Sequence, residues 1–294
     1  MSSASTSTLA DGPTVVPLHY DTVFRWLFGD EHNKRLLGRF LRAALPELPA
    51  EEWADLALPD THLLGTADQK ELVLDVLVTT ATGRQVDVEL QMAGTPAARE
   101  RFTLYNSRQL AEQLAAGQPY TLLRPVVTLV ICGFVLISED WDYSHTFVDY
   151  DVEHQMRFTD LRTTRTLELP KLPENDDGTD LWDWLRLIAA ETEEEIDMAA
   201  ANNEDVAQAA VLVKTFSADE TRRWMATSRE KFLRDQITRE TVAREEGREE
   251  ERRRGAAQRG QAIRMAVTEG MSVERVAAIF STTPDEVTAI VSAA

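Results

Sequence analysis

A chain of 294 residues with 43% hydrophobic content can build a substantial core, as one large domain or a core with an appendage, which excludes wholesale disorder. Its single cysteine, Cys132, excludes a disulfide scaffold and a cysteine-based zinc site, and its five histidines show no ligand spacing. The net charge of −19 argues against a broad nucleic-acid surface, since phosphate binding needs local positive charge. That charge is uneven. Residues 1–213 hold 16 Lys/Arg against 36 Asp/Glu, net −20; residues 214–264 hold 14 against 10, net +4; the tail is net −3. Any contact with a polyanion must therefore be local.

Residues 1–17 read as a polar, disordered leader without the basic start and apolar stretch of a signal peptide, which predicts a cytoplasmic protein. From Tyr20, apolar residues at helical spacing (Phe24, Leu27, Phe28, then Leu36, Leu37, Phe40, Leu41) predict two short helices broken near Gly29-Asp30. A Pro-rich loop leads to "LVLDVLVTTATGRQVDVELQ" at 72–91, two apolar strands joined by a turn. "AARERFTLYNSRQLAEQLAAG" predicts a helix closed by Gly117, and "RPVVTLVICGFVL" a strand buried on both faces. The longest apolar run, Val126 to Ile137, is 12 residues, too short to span a bilayer. "HTFVDYDV" and "RTLELPKL" are weaker strands. Helix, strand pair, helix and buried strand in this order predict an α/β layered domain.

Beyond "LPENDDGTD" the chain turns helical: "LWDWLRLIAAETEEEIDMAAA", "EDVAQAAVLVKTF" and "ADETRRWMATSREKFLRDQ". Leu181, Trp182, Leu185 and Ile188 form a core-facing stripe. Residues 238–262 are too polar for a core and predict a solvated charged helix or linker. Glu–Arg pairs such as Glu249–Arg253 support it, while Gly247, Gly255 and Gly260 weaken it. In residues 263–294, one helix capped at Ser272 and a second opened by Pro284 resemble a helix-turn-helix. "PDEVTAIVSAA" offers no Arg, Lys, Asn or Gln for base edges, so packing or dimerisation is the better reading of this tail.

The hairpin carries the chemistry. In "RQVDVELQ", Val86, Val88 and Leu90 share one face, and Asp87, Glu89 and Gln91 the other. A two-residue loop Thr82-Gly83 would set Asp75 against Leu90. A three-residue loop Ala81-Thr82-Gly83, with Gly83 left-handed, pairs Asp75 directly with Glu89. Two carboxylates so opposed repel each other unless one is protonated or a divalent cation lies between them, and oxygen-only ligands favour Mg²⁺ or Mn²⁺. A polar sheet face under solvent is the plain alternative for these residues taken alone.

An Asp on one strand and Glu-x-Lys on the next is the signature of PD-(D/E)XK nucleases. This chain resembles their recombination-promoting nuclease / putative transposase branch, from about Asp21 through the tail. The pieces are "DTVFRWLFGDEHNKRLLGRFLRAAL", "LDVLV", "GRQVDVELQ", "RFTLYNSRQLAEQLAAGQPYTLLRPVVTLVI", "LELPKL", "REKFLRDQ", "AREEGREE" and "EGMSVERVAAIF", in that order. The resemblance implies a restriction-endonuclease-like fold over residues 18–175 and Mg²⁺-dependent cleavage of DNA, with Mn²⁺ as the other candidate. It makes Asp75 and Glu89 metal ligands with the Leu90 carbonyl, and sets Gln91 at the place of the superfamily lysine. Asp75, Glu89 and Gln91 are thus the implied catalytic residues, although Gln91 lacks the lysine's charge and Leu74 stands where the superfamily has proline.

Arg84 in the turn and Arg99, Arg101 and Arg108 on the following helix are the candidate DNA contacts, and Asp21 is expected near the site from the first helix. Residues 176–237 are expected to pack on the core, and the C-terminal helical region to form a homodimer. The rival reading is a catalytically inactive interaction or DNA-tethering module on the same scaffold.

Overall fold

The computed structural model describes residues 15–59, 62–63, 72–73 and 75–293. In chain order it contains α1 (Asp21–Phe28), α2 (Lys34–Ala44), β1 (His62–Leu63), β2 (Leu72–Val73), β3 (Val76–Thr79), β4 (Gln85–Gln91), α3 (Ala98–Ala111) and β5 (Val126–Cys132). There follow β6 (Ser144–Val148), β7 (Tyr150–Asp151), β8 (Met156–Arg157) and β9 (Arg162–Glu168). The helices α4 (Asp180–Ala189), α5 (Glu193–Ala199), α6 (Glu204–Ala218), α7 (Glu220–Thr268), α8 (Val273–Ile279) and α9 (Pro284–Ser292) complete it. Two units divide the chain at Glu230 and Lys231.

In the first unit a five-stranded mixed sheet has the order β3-β4-β5-β9-β6. β3 and β4 are antiparallel, β4, β5 and β9 are parallel, and β6 closes the edge antiparallel to β9. This sheet with flanking helices is a restriction-endonuclease-like α/β fold. A parallel neighbour requires a crossover, and α3 supplies it between β4 and β5. Strand β5 is buried along its whole length, as a central strand covered on both faces must be. Val86, Val88, Leu90, Leu129 and Ile131 join the main core with α1, α2, α4 and α6, where Phe28, Phe40 and Trp184 pack ring against ring. The opposite face packs Val130 and Cys132 against Ala98 and Phe102 of α3.

Five details depart from the sequence expectations. Val15, Val16 and Pro17 are not part of an exposed leader: they are buried, and the Val16 N–H donates to Ser217 Oγ at 2.9 Å. Residues 1–14 lie outside the described residues. The first hairpin arm is not one strand, because β2 ends at Val73 and the chain bends at Asp75 before β3 begins. Helix α3 stops at Ala111, not at Gly117; Gln113 turns away to bond both the N–H and the C=O of Arg124. The stretch 181–201 is broken after Ala189, because Thr192 and Glu195 form a capping box that opens α5. The charged segment 238–262 is no separate piece but the interior of the 49-residue α7, continuous through all three glycines.

"LELPKL" acts as a buried staple. Lys171 and Glu168 pair at 3.1 Å with side chains 1% and 0% exposed. Lys171 donates to the carbonyls of Ile137 and Asp140, and Glu168 accepts from the N–H groups of Leu136 and Ile137. The loop after β5 is thereby fixed by satisfied polar groups.

In the second unit Ile263 of α7 packs with Val276, Ala277 and Val287 in a small core of its own. Ser272 caps α8, and Thr283 with Glu286 forms a capping box on α9 behind Pro284. Along α7, Glu249 and Arg253 pair at 2.5 Å on an exposed face. Among the described residues no helix is long and apolar enough to cross a membrane.

Candidate active site at the end of a hairpin

The turn sets the geometry. Thr80 N–H bonds Arg84 O, Gly83 N–H bonds Thr80 O, and Gly83 has φ +86°, so the loop is Ala81-Thr82-Gly83 with its glycine left-handed. The resulting register pairs Val76 with Val88 and Val78 with Val86, and one step further places Asp75 opposite Glu89. Beneath the turn Glu52, 3% exposed, accepts from the Thr80 and Thr82 hydroxyls and from Arg84 Nε.

At its open end the hairpin exchanges a backbone partner for a side chain. Asp75 Oδ2 accepts the Leu90 N–H at 2.8 Å, and Oδ1 accepts Arg25 Nη2 at 2.7 Å. Occupying Leu90's donor this way explains the bend at Asp75. A residue's N–H and C=O leave a strand on the same side, so the Leu90 carbonyl faces the side of Asp75 as well. Arg25 Nε holds Asp21 Oδ1 at 2.7 Å, and Arg229 Nε reaches Asp21 Oδ2 at 3.1 Å. Asp21 therefore meets the site through Arg25, a residue the sequence reading passed over although it lies one helical turn from Asp21.

On the α3 face of β4, Asp87, Glu89 and Gln91 stand in a row. Asp87 is fully buried and neither of its carboxylate oxygens has a hydrogen-bond partner; Glu89 Oε1 is likewise buried without one. Glu89 Oε2 lies 3.5 Å from Gln91 Nε2 and 4.0 Å from Arg101 Nη2. Arg101 Nη1 donates to Gln91 Oε1 at 3.2 Å, its Nε donates to the Tyr105 hydroxyl at 2.9 Å, and its guanidinium lies 5.0 Å from the Tyr105 ring centre. Asp87 and Tyr105 were not singled out from sequence; the alternation of "VDVELQ" was the available signal for the first.

The electrostatics follow from burial. Desolvation pushes the Glu89 carboxyl well above its ordinary pKa, and the charges of Asp87 and Asp75 push it further. Asp87 is raised well above its ordinary value, first by burial and then by Asp75, against a smaller opposing pull from Arg101. Asp75 is raised by burial despite the Leu90 N–H and Arg25, which both favour its charged form. Three acids in one place with incomplete compensation favour either protonation or a cation.

The donors fit a hard divalent cation. The Asp75 and Glu89 carboxylates, the latter with one buried oxygen lacking a partner, and the Leu90 carbonyl make an oxygen-only set, and Mg²⁺ is held through one or two carboxylates with the remaining positions left to water and phosphate. Among the described residues no group of three or more His, Cys, Asp or Glu is arranged to hold a metal, so a cation here would rest on two carboxylates.

The four candidate DNA contacts separate by exposure. Arg84 is 17% exposed and tied to Glu52, and Arg108 is 12% exposed and paired with Glu112 at 2.7 Å. Arg99 is 52% exposed and bonds Leu136 O and Glu139, while Arg101 is 40% exposed at the carboxylates.

The sequence model for the PD-(D/E)XK nuclease family transposases matches residues 18–242. The chain belongs to this family. The match covers the whole sheet, the helices that pack on it and the first half of α7, so every residue of the site falls within it. Searches of curated proteins and of solved structures each returned no match. Family membership gives the chain a nuclease-type character, and PD-(D/E)XK nucleases typically use divalent metals.

Proposed function

We propose that this PD-(D/E)XK family protein is a metal-dependent DNA endonuclease that hydrolyses phosphodiester bonds, serving DNA recombination or transposition. The observation that carries this reading is that the hairpin register sets Asp75 opposite Glu89 at its open end, close enough for the Asp75 charge to raise the Glu89 pKa, beside the Leu90 backbone and with Glu89 Oε1 buried and without a hydrogen-bond partner. Asp75, Glu89 and the Leu90 carbonyl would hold Mg²⁺ or Mn²⁺. When bound, such an ion polarises a phosphoryl oxygen and lowers the pKa of a coordinated water.

The chain's own residues supply position and charge. Gln91, pinned by Arg101, offers its amide to orient a water but takes no proton, since an amide is neutral across the working pH range. Asp75 is held in place by the Leu90 N–H and by Arg25. Arg99, the more exposed of the two remaining cations, serves the DNA backbone, while Arg101 stands at the carboxylates themselves. Arg84 and Arg108 are drawn into the packing by Glu52 and Glu112 and serve structure instead. Self-association belongs to the proposal through α7, which exposes Phe232, Ile237 and Val242.

The test is nicking of supercoiled plasmid with Mg²⁺ or Mn²⁺ by wild type and D75A. Loss of nicking in D75A supports the nuclease. Equal nicking by both assigns the cut to another site or a contaminant. No nicking by either favours the inactive DNA-tethering module, to which the net charge of −19 and Gln91 lend support.

A further inference from the structure

Gln91 is neutral, and α3 brings the charge of Arg101 beside it. Two guanidiniums among the described residues reach these carboxylates. That of Arg25 is committed, with Nε on Asp21 and Nη2 on Asp75, both at 2.7 Å. That of Arg101 is anchored but not used up. Its Nε–H is taken by Tyr105 and one Nη1–H by Gln91, while Nη2 stands 4.0 Å from Glu89 Oε2, beyond hydrogen-bond reach. A guanidinium has five N–H donors, so its remaining Nη donors are uncommitted. With 40% of the side chain exposed, solvent and substrate can reach that edge.

We propose that Arg101 is a catalytic residue, which takes over from α3 the positive charge that position 91 lacks and donates from its Nη edge to a non-bridging oxygen of the phosphate under attack. This rests on the nuclease reading. In the step, a water oxygen bonds to phosphorus and its proton passes to solvent. The P–O bond to the leaving sugar oxygen breaks with its electron pair, and that oxygen takes a proton from solvent. Arg101 exchanges no proton, because a guanidinium stays charged throughout. Its contribution is to stabilise the charge that builds on the equatorial oxygens, and its anchors are in place beforehand: the Tyr105 hydroxyl and ring fix the plane, and Gln91 fixes the approach. A residue that only held the DNA backbone would act equally on bound substrate and transition state, and so would change affinity and leave the rate of the bound complex alone.

That difference is the test. The full-length protein cleaves a labelled duplex in Mn²⁺ under single-turnover, saturating conditions, and DNA affinity is measured separately in Ca²⁺ where no product forms. R101A is expected to lose about 100- to 1000-fold in the single-turnover rate, the scale of a removed transition-state donor, with DNA affinity in Ca²⁺ little changed. R101K, which keeps charge but not the fork geometry, should fall between them. Added guanidinium ion should raise the rate of R101A and leave wild type unaffected. If R101A fails to fold, R101Q, which retains the stem and a donor for Tyr105, carries the same expectations. A variant that cleaves at the wild-type rate, or loses only DNA affinity, overturns the assignment while leaving the nuclease reading intact. Absence of wild-type cleavage with any divalent cation overturns both.

Discussion

Glu89 offers the most discriminating perturbation, because its charge should be a cost to the fold without a cation and an asset with one. Its side chain is 1% exposed, one carboxylate oxygen has no partner, and burial together with Asp87 and Asp75 raises its pKa well above the ordinary value. The sign is fixed by proton linkage. Above about pH 4.3, the unfolded Glu value, the unfolded chain releases a proton that the native state retains until its own higher pKa is passed, so folding stability falls as pH rises through that window. E89Q keeps the shape and removes the charge. Without a divalent cation at pH 8, E89Q is expected to melt at or above the wild-type temperature.

Saturation with Mn²⁺ should reverse the order. A ligand at 100 times its Kd stabilises the folded state by about 2.7 kcal/mol. For a unit the size of residues 1–230, each kcal/mol moves Tm by about 2–4 °C. Wild type should therefore gain about 5–11 °C and E89Q close to nothing. Scanning calorimetry of both proteins with and without Mn²⁺ reads the crossing directly. An equal Mn²⁺ shift in E89Q, or a lower melting temperature for E89Q in the absence of the ion, would refute the reasoning.

Other sites give independent checks. D87N should flatten the decline of stability with pH, which for a proton fully retained by the native state reaches about 1.4 kcal/mol per pH unit above the ordinary Asp value; parallel Tm–pH curves for the two proteins would contradict the burial argument. G83A forces a Cβ into φ +86° at ordinary van der Waals distance, 3.5 Å, from the Arg124 side chain, so the cost is backbone strain rather than a clash, about 1–2 kcal/mol, and an unchanged Tm would rule out the turn described. R25Q withdraws the positive charge that now sits on Asp75 Oδ1, and calorimetric titration should show Mn²⁺ binding about tenfold tighter, or 1.4 kcal/mol. Weaker Mn²⁺ binding in R25Q would mean that Arg25 supports the cation site rather than competing for it.

Where sequence reading succeeded, the governing physics was local. A glycine able to take a left-handed turn specified a three-residue loop and with it the register of the hairpin. Alternation on β4 separated an apolar face from the row of Asp87, Glu89 and Gln91. The run at 126–132, apolar but for Thr128, required a strand covered on both sides, and Ser272 and Pro284 marked the starts of the two tail helices. In each case the residues that decide the outcome are neighbours in the chain, so the pattern is visible without the fold.

Tertiary structure alone decided what those residues meet. Arg25 reaches Asp75 across 50 positions, and Glu52 captures Arg84 across 32 and braces the turn. Arg101 and Gln91 are ten residues apart in sequence but belong to a helix and a strand, and only the packing of α3 on the sheet brings them to 3.2 Å. The burial of Asp87 and of Val15 to Pro17 has the same origin, since a residue's exposure depends on whatever distant segment covers it. Backbone preference and periodicity are properties of a segment, whereas desolvation, charge compensation and the pKa shifts that follow belong to the assembled fold.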